Sequence, residues 1–346
     1  MNPLVIGYSA LGDMGVVCLI AINLIALSLF KIGEAEKFSR LKNIGVFLQF
    51  ALYTVLLVGF RANALTLIPL FAVLGYIVCK KIKSVATYVF LMLGMVVGIG
   101  VVFLAPAAVG VQTYNASSAG FTWEILGTIN RMPEHKKEEY IHFLDDVRGT
   151  GSTKEALEQY NTNNVNSWLW SAMPVQAIGI EKGSGQIYDK YMHLCFNETG
   201  YFLQNKVELI GHTMGVQKPL DNLAITYKAN QDMNQVGFVD SPRRHEFINN
   251  VNGFINGVAI VRMPWIWFLF GLASVLYQKI RYKNNKFIYL FFMACFYYGA
   301  FFINNQSFEL RYFFPSLLLL LIIFAATVCD LMQPLLEKAR YAIAKK

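Results

Sequence analysis

The chain has 346 residues, of which 55% are hydrophobic and only 15% charged, and its mean hydropathy is +0.42. A soluble domain carries about a quarter charged residues, so this composition excludes an ordinary soluble protein. The net charge of +8 gives little support to nucleic-acid binding, because the long polar segment 110–262 holds 13 basic against 16 acidic residues.

Long apolar runs along the chain predict about seven transmembrane helices. Each run is long enough, or nearly so, to cross about 30 Å of hydrocarbon as a helix. The runs are residues 14–30, 44–60, 64–79, 85–109, 262–278, 287–303 and 312–329. We therefore predict an all-α integral membrane protein, with the lipid bilayer as its first partner.

Basic residues mark alternate connections between these runs. Half of all Lys and Arg lie in four short segments, 31–43, 80–83, 279–286 and 334–346. Cytoplasmic loops carry an excess of Lys and Arg, so all four segments are expected in the cytoplasm. The sequence thus predicts a multi-pass protein of the inner (plasma) membrane, with its N-terminus outside and its C-terminus in the cytoplasm.

This orientation divides the chain into three parts. Residues 1–109 hold spans one to four, residues 110–261 form a mostly helical exoplasmic domain, and residues 262–346 hold spans five to seven with a basic tail. Within the exoplasmic domain, residues 121–132 are predicted to form an amphipathic helix. A second helix is predicted after Pro133, and two more between residues 186 and 214.

Span four contains the pattern Gly94-Met95-Val96-Val97-Gly98. Small residues spaced in this way allow two membrane helices to approach closely. Plain helix packing is the expected role of these glycines.

One arginine stands between two apolar runs, in the stretch VGFRANAL around Arg61. An interfacial anchor is one interpretation, because a long basic side chain near the surface can reach the headgroups. The positive-inside pattern, however, assigns Arg61 to the outer face. The alternative is a fixed cation that faces an anion with Asn63 beside it, and the guanidinium suits phosphate well.

A second arginine has the same placement at the start of the last run, in NNQSFELRY. Glu309 and Arg311 could simply pair with each other or with the loop. Two arginines and a carboxylate at the outer rim are also what a lipid-phosphate site requires.

These features resemble the GT-C-fold bacterial membrane glycosyltransferases, which use polyprenyl-phosphate-linked sugars. The resemblance rests on the RxN turn between two short spans, one large outer domain late in the chain, and an ExRY entry to a late span. It points in particular to uncharacterised conserved membrane proteins of that superfamily, with a role in surface-polysaccharide assembly.

The resemblance implies which residues form the site. Arg61 and Asn63 would bind the lipid phosphate from one side, and Arg311 and Tyr312 from the other, with Glu309 beside them. The segment Thr122 to Arg131 would be a juxtamembrane helix above the site. The donor would be a polyprenyl-phosphate-linked sugar, and the acceptor a glycan or a lipid.

Members of this family normally have a first spanning helix followed by an outer loop that carries an acidic residue. This chain offers Asp13 before span one, so Asp13, Glu124 and Glu309 are the candidate catalytic acids. Glu124 could equally be a solvated helix residue. The N-terminal part of the enzyme could also be missing, or the chain could be a non-catalytic partner that binds the lipid phosphate. A transporter of a lipid-linked or anionic substrate is a further class.

No metal ligand set is predicted from spacing, and a divalent ion stays open as the only cofactor. His142 with Asp145 and Asp146 could form part of a metal site, since His142 and Asp146 share one face of a helix at i and i+4, although a solvated surface explains them as well. The cysteines show no zinc spacing, and only Cys195 falls in the exoplasmic domain.

Overall fold

A computed structural model of the chain describes residues 14–35, 39–60, 62–108, 116–146, 152–160, 184–220, 242–283, 286–303, 308 and 310–344. All the regular elements in these ranges are helices, as the sequence predicts. The chain divides into two compact units. We call Met1–Leu104, Asn222–Gly299 and Leu310–Lys346 the apolar unit, and Ala105–Asp221 with Ala300–Glu309 the polar unit.

The long apolar helices belong to the apolar unit. They are α1 (Met14–Glu34), α2 (Arg40–Phe60), α3 (Leu67–Lys81), α4 (Val85–Ala108), α11 (Pro264–Tyr282), α12 (Lys286–Ile303) and α13 (Leu310–Ala344). The last turns of α4 and α12 belong to the polar unit. A short 3-10 helix, Ala62–Thr66, joins α2 to α3, and the polar helix α10 (Pro242–Gly257) is followed by a 3-10 helix, Ala259–Arg262.

Four helices in the described part of the chain are long and apolar enough to cross a membrane. These segments are Arg40–Gly59, Ala64–Lys81, Val85–Ala105 and Tyr312–Pro334, and the apolar helix Phe287–Ile303 is shorter. Their length and composition identify a membrane protein. The full count of seven spans, and the outer placement of residues 110–261, stay predictions.

The helices of the apolar unit pack through small residues and long side chains. Helix α1 contacts α2, α3 and α13, and α11 packs along α13. A Cβ atom added to Gly94 would lie 2.5 Å from the carbonyl oxygen of Phe47, and one added to Gly98 would lie 2.7 Å from that of Ala51. The close approach predicted from the glycine pattern therefore occurs between α4 and α2.

The polar unit is built around one central helix. Its helices are α5 (Ala116–Asn130), α6 (Glu134–Tyr140), α7 (Thr153–Glu158), α8 (Ser184–Asn197) and α9 (Thr199–Thr213). Helix α5 contacts the other four, and α8 also packs on α9. All residues from Thr122 to Ile129 are buried. The amphipathic helix predicted at 121–132 is therefore a core helix, covered on every side.

Two further predictions for this unit can be compared with the structure. The pair of helices around Asn197 is present as α8 and α9. The helix after Pro133 is shorter than the sequence pattern indicates, since it ends at Tyr140 and residues 141–146 form turns.

Candidate functional site

The predicted lipid-phosphate residues fall mostly at the edges of the described ranges. Asp13, Arg61 and Glu309 lie outside the described residues. Asn63 belongs to the 3-10 helix and Arg311 to the first turn of α13, but their side chains also lie outside the description. Tyr312 is half-buried in α13. The predicted roles of these residues stay predictions.

The two predicted arms of the site attach to the same stretch of α12. The Thr66 hydroxyl, at the end of the 3-10 helix, donates to the carbonyl oxygen of Phe296 at 3.0 Å. The Ser316 hydroxyl in α13 donates to the carbonyl oxygen of Ala294 at 2.8 Å. Arg61 and Asn63 precede Thr66 by a few residues, and Arg311 precedes Ser316. Thr66 and Ser316 thus bind backbone carbonyl groups of α12 that are two residues apart.

Glu124 is the one candidate acid that the structure describes, and it lies in the interior of the polar unit. Its side chain has no exposed surface, and its Oε2 atom is 2.5 Å from the Nζ atom of Lys206 on α9. The hydroxyl of Tyr191 on α8 donates to the same oxygen at 3.0 Å. A buried carboxylate needs such partners, because burying a charge without them is costly.

The Lys206 ammonium also binds the C-terminal end of α12. It donates to the carbonyl oxygens of Phe302 at 3.1 Å and of Ile303 at 2.7 Å. The last carbonyl groups of a helix have no partner within the helix, and a cation there is favourable. With Glu124 these two carbonyls match the three donors of the ammonium group.

The residue before Glu309 is anchored in the same unit. Phe308 is buried, with its ring 5.3 Å from that of Trp123 and 5.1 Å from that of His212, both measured between centroids. Two described residues near each other in the sequence are thus held within the polar unit. Lys206 binds the carbonyl oxygen of Ile303, and the rings of Trp123 and His212 contact Phe308.

A second layer of polar contacts continues from Glu124 along α9. The Asn205 amide donates to the backbone carbonyl of Glu124 at 3.1 Å, and the Nε atom of Arg131 donates to the Asn205 side-chain oxygen at 3.3 Å. Arg131 also pairs with Glu208. The network gives α5 and α9 a fixed mutual register.

Burial changes the protonation of two groups in this network. Burial, together with the Glu124 charge and hydrogen bond, raises the pKa of the Tyr191 phenol, so the phenol stays a donor to the carboxylate. Burial lowers the pKa of His212 below 6.5, and Lys218 and Arg131 act in the same direction against the attraction of Glu208. His212 therefore stacks on Phe308 as a neutral ring at pH 7.

The described contacts of Glu124 join α5 to α8 and α9. A general base must come within hydrogen-bond reach of the hydroxyl that it deprotonates. The Glu124 carboxylate is enclosed and already bound by Lys206 and Tyr191. It holds the cation that caps α12.

Of the three residues that the sequence offered for a metal, His142 and Asp145 contact each other, whereas Asp146 pairs with a lysine. The Nδ1 atom of His142 lies 2.7 Å from Asp145, and Asp146 pairs with Lys190 at 2.7 Å. Burial opposes ionisation of Asp145, but hydrogen bonds from Thr153 and His142 outweigh it and lower its pKa to about 2. Among the described residues, no group of three or more His, Cys, Asp or Glu could hold a metal ion.

Lys206, Tyr191 and Phe308 were not found by sequence reasoning. The sequence contains a weak indication of a partner such as Lys206. Glu124 stands in the apolar run TWEILG, and a carboxylate buried there requires a cation. Nothing in the sequence says which of the basic residues of the domain supplies it.

Comparisons with protein-family models, with curated proteins and with solved structures give no match for this chain.

Proposed function

We propose that the chain is a membrane glycosyltransferase. It moves a sugar from a polyprenyl-phosphate carrier to a glycan or lipid acceptor on the exoplasmic face of the inner membrane. The observation that supports this proposal is that Thr66 and Ser316, which follow the two arginines in the sequence, both bind one stretch of α12, at Phe296 and Ala294.

The proposal includes a topology. Seven helices cross the bilayer, residues 110–261 lie outside, and the basic connections and the C-terminus lie in the cytoplasm. The four candidate spans and the charge pattern support this arrangement.

In the proposed reaction, a carboxylate takes the proton of the acceptor hydroxyl, and the hydroxyl oxygen attacks the anomeric carbon with inversion. The bond from that carbon to the carrier phosphate breaks, and the phosphate leaves with the electron pair. Arg61 and Arg311 stabilise the growing negative charge, with Asn63 and Tyr312 as further polar contacts.

Glu309 is the preferred base among the three candidate acids. Glu124 is enclosed and paired with Lys206, which removes it from the reacting atoms. Glu309 directly follows the anchored Phe308 and stands two residues before Arg311. Asp13 stays the second candidate.

The lipid part of the proposal is tested by native mass spectrometry of protein purified gently from its own membranes. Wild type is compared with Arg61→Ala, Arg311→Ala and the control Arg243→Ala, which removes an exposed arginine of α10. We expect wild type and the control to carry an isoprenoid phosphate, and both site variants to lose it. Equal retention in all four proteins would refute a carrier site at these arginines.

The runner-up is a non-catalytic partner that binds the same lipid phosphate. The enclosure of Glu124 favours it, because one of three candidate bases is withdrawn. The same spectra separate the two functions through the mass of the sugar on the bound carrier. An enzyme accumulates sugar-loaded carrier in Glu309→Gln or Asp13→Asn, whereas a binding partner shows the same ratio of loaded to free carrier in all proteins.

A further inference from the structure

The apolar unit contains a groove that lies away from the two arginine-bearing arms. Helices α1, α3 and α12 line this shallow groove of about 60 Å³, which is open on one side. The lining side chains are apolar except for Tyr289, and they include Leu29, Phe30, Leu74, Val78, Leu290 and Met293.

Lysines stand at the end of this groove. Lys31 directly follows Phe30 on α1, and Lys80 and Lys81 follow Val78 within one turn of α3. The Nζ atom of Lys81 lies 3.5 Å from the carbonyl oxygen of Gly33, so the two helix ends meet there. All three lysines are exposed, and Glu34 is the acidic residue beside them. The groove thus ends in a surface with excess positive charge.

We propose that this groove binds an anionic phospholipid. The first few methylene groups of one acyl chain lie in the groove, and the headgroup phosphate lies against Lys80 and Lys81, with Lys31 nearby. Basic pockets between transmembrane helices on the cytoplasmic side bind acidic headgroups in this way, and the positive-inside rule assigns these lysines to that side. A bilayer supplies such lipids at high local concentration.

This site is separate from the proposed carrier site. Thr66 precedes the first residue of α3, whereas Lys80 and Lys81 end it. At 1.5 Å per residue, about 20 Å of helix separates the two positions. The phospholipid site therefore does not depend on the proposed glycosyl transfer, and it can be tested alone.

The headgroup contact is tested with protein in phosphatidylcholine nanodiscs that contain a few per cent phosphatidylglycerol. Native mass spectrometry counts the phosphatidylglycerol that stays bound. The double variant Lys80→Gln/Lys81→Gln is compared with Lys279→Gln/Lys283→Gln, which removes two exposed lysines at the end of α11. We expect the first to bind about 30-fold more weakly, since each surface lysine contributes about 1 kcal/mol, and the second to match wild type.

The acyl-chain contact is tested with two neighbouring residues of α1. Ala26 lines the groove, whereas the adjacent Leu27 is exposed and does not. We expect Ala26→Phe to fill the groove and release the phospholipid, and Leu27→Phe to retain it. Circular dichroism and gel filtration verify that both variants fold.

Two results would overturn the proposal. One is equal binding of phosphatidylglycerol by wild type and all four variants, which identifies the lipid as part of the general shell around the protein. The other is loss of an isoprenoid phosphate, with phosphatidylglycerol retained, in Ala26→Phe. That result would mean that the groove binds the isoprenoid tail of the carrier lipid and not a phospholipid. Because Arg61 and Arg311 are intact in these variants, neither result alone decides the proposed enzymatic function.

Discussion

The Nζ atom of Lys206 lies 2.5 Å from the Oε2 atom of Glu124 in the interior of the polar unit. The carboxylate has no exposed surface, and the lysine side chain is only 13% exposed. The same ammonium binds the carbonyl oxygens of Phe302 and Ile303. One ion pair thus joins α5 and α9 to the last turn of α12.

We predict that Glu124→Ala strongly destabilises the polar unit. The variant leaves the Lys206 ammonium in the interior without a counterion, and removing one partner of a buried pair costs about 3–5 kcal/mol. Thermal unfolding of the purified protein, followed by tryptophan fluorescence, measures the loss. Trp123 is buried beside Phe308 and reports on this region.

The matched control is Glu134→Ala. Glu134 also pairs with a lysine, Lys137 at 2.8 Å, but its side chain is 88% exposed. Exposed pairs contribute at most about 1 kcal/mol, so this variant should unfold close to wild type. The double variant Glu124→Leu/Lys206→Met should lose less stability than Glu124→Ala, because it leaves no buried charge. If Glu124→Ala and Glu134→Ala unfold alike, the buried pair does not hold the unit together.

Hydropathy predicted the apolar helices because a membrane helix is apolar on all sides and its signal is local. The same reasoning found α8 and α9 around Asn197. It misjudged α5, since Thr122, Glu124 and Thr128 resemble a solvent face in the sequence. In the structure these polar groups are satisfied internally. The Thr128 hydroxyl, for example, donates to the Glu124 carbonyl at 2.8 Å.

The partners of Glu124 could not be predicted for a different reason. Tyr191 and Lys206 stand on helices far along the chain, and only the packing of α8 and α9 on α5 brings them to the carboxylate. Helical periodicity contains no information about such contacts. The anchoring of Phe308 has the same origin, because Trp123 and His212 come from two separate helices.

The buried His212 predicts a dependence of stability on pH. Its folded pKa is lowered, so the unfolded chain binds the proton more readily. The stability that the neutral ring contributes is complete above pH 6.5, and it declines as the pH falls through 6.5 towards the folded pKa. We expect the unfolding temperature of wild type to drop between about pH 7 and pH 5, and His212→Gln to show a smaller drop.

The control for this experiment is His135→Gln, which replaces an exposed histidine. It should reproduce the pH slope of wild type. Three charged groups face His212, namely Glu208, Lys218 and Arg131, and none of them is changed by these variants. A wild-type slope that His212→Gln leaves intact would show that another group titrates.

The glycines of α4 give a third prediction, about helix packing. Gly98→Val places a side chain where a Cβ atom alone would lie 2.7 Å from both the Ala51 carbonyl oxygen and the Thr54 Cβ atom. To relieve this steric clash, α2 and α4 must separate, which should lower the free energy of unfolding by about 1–3 kcal/mol or more. Gly100→Val is the control, because no atom outside the surrounding turns of α4 lies within 4 Å of a Cβ atom there. Unfolding in detergent should show a loss for the first variant only, and equal losses would exclude close α2–α4 packing as the cause.

The proposed topology gives a fourth prediction, which rests on the thiol of Cys195. This residue is half-buried in α8, outside the long apolar helices, and the topology puts α8 on the exoplasmic face. A membrane-impermeant maleimide applied to intact cells should label wild type, and Cys195→Ala should lose this label. In the Cys195→Ala background, Lys283→Cys places a thiol at the end of α11, in a connection assigned to the cytoplasm. It should react only after the membrane is permeabilised. If intact cells label Lys283→Cys in this background and do not label Cys195 in wild type, the orientation is reversed and the proposed site moves to the cytoplasmic face.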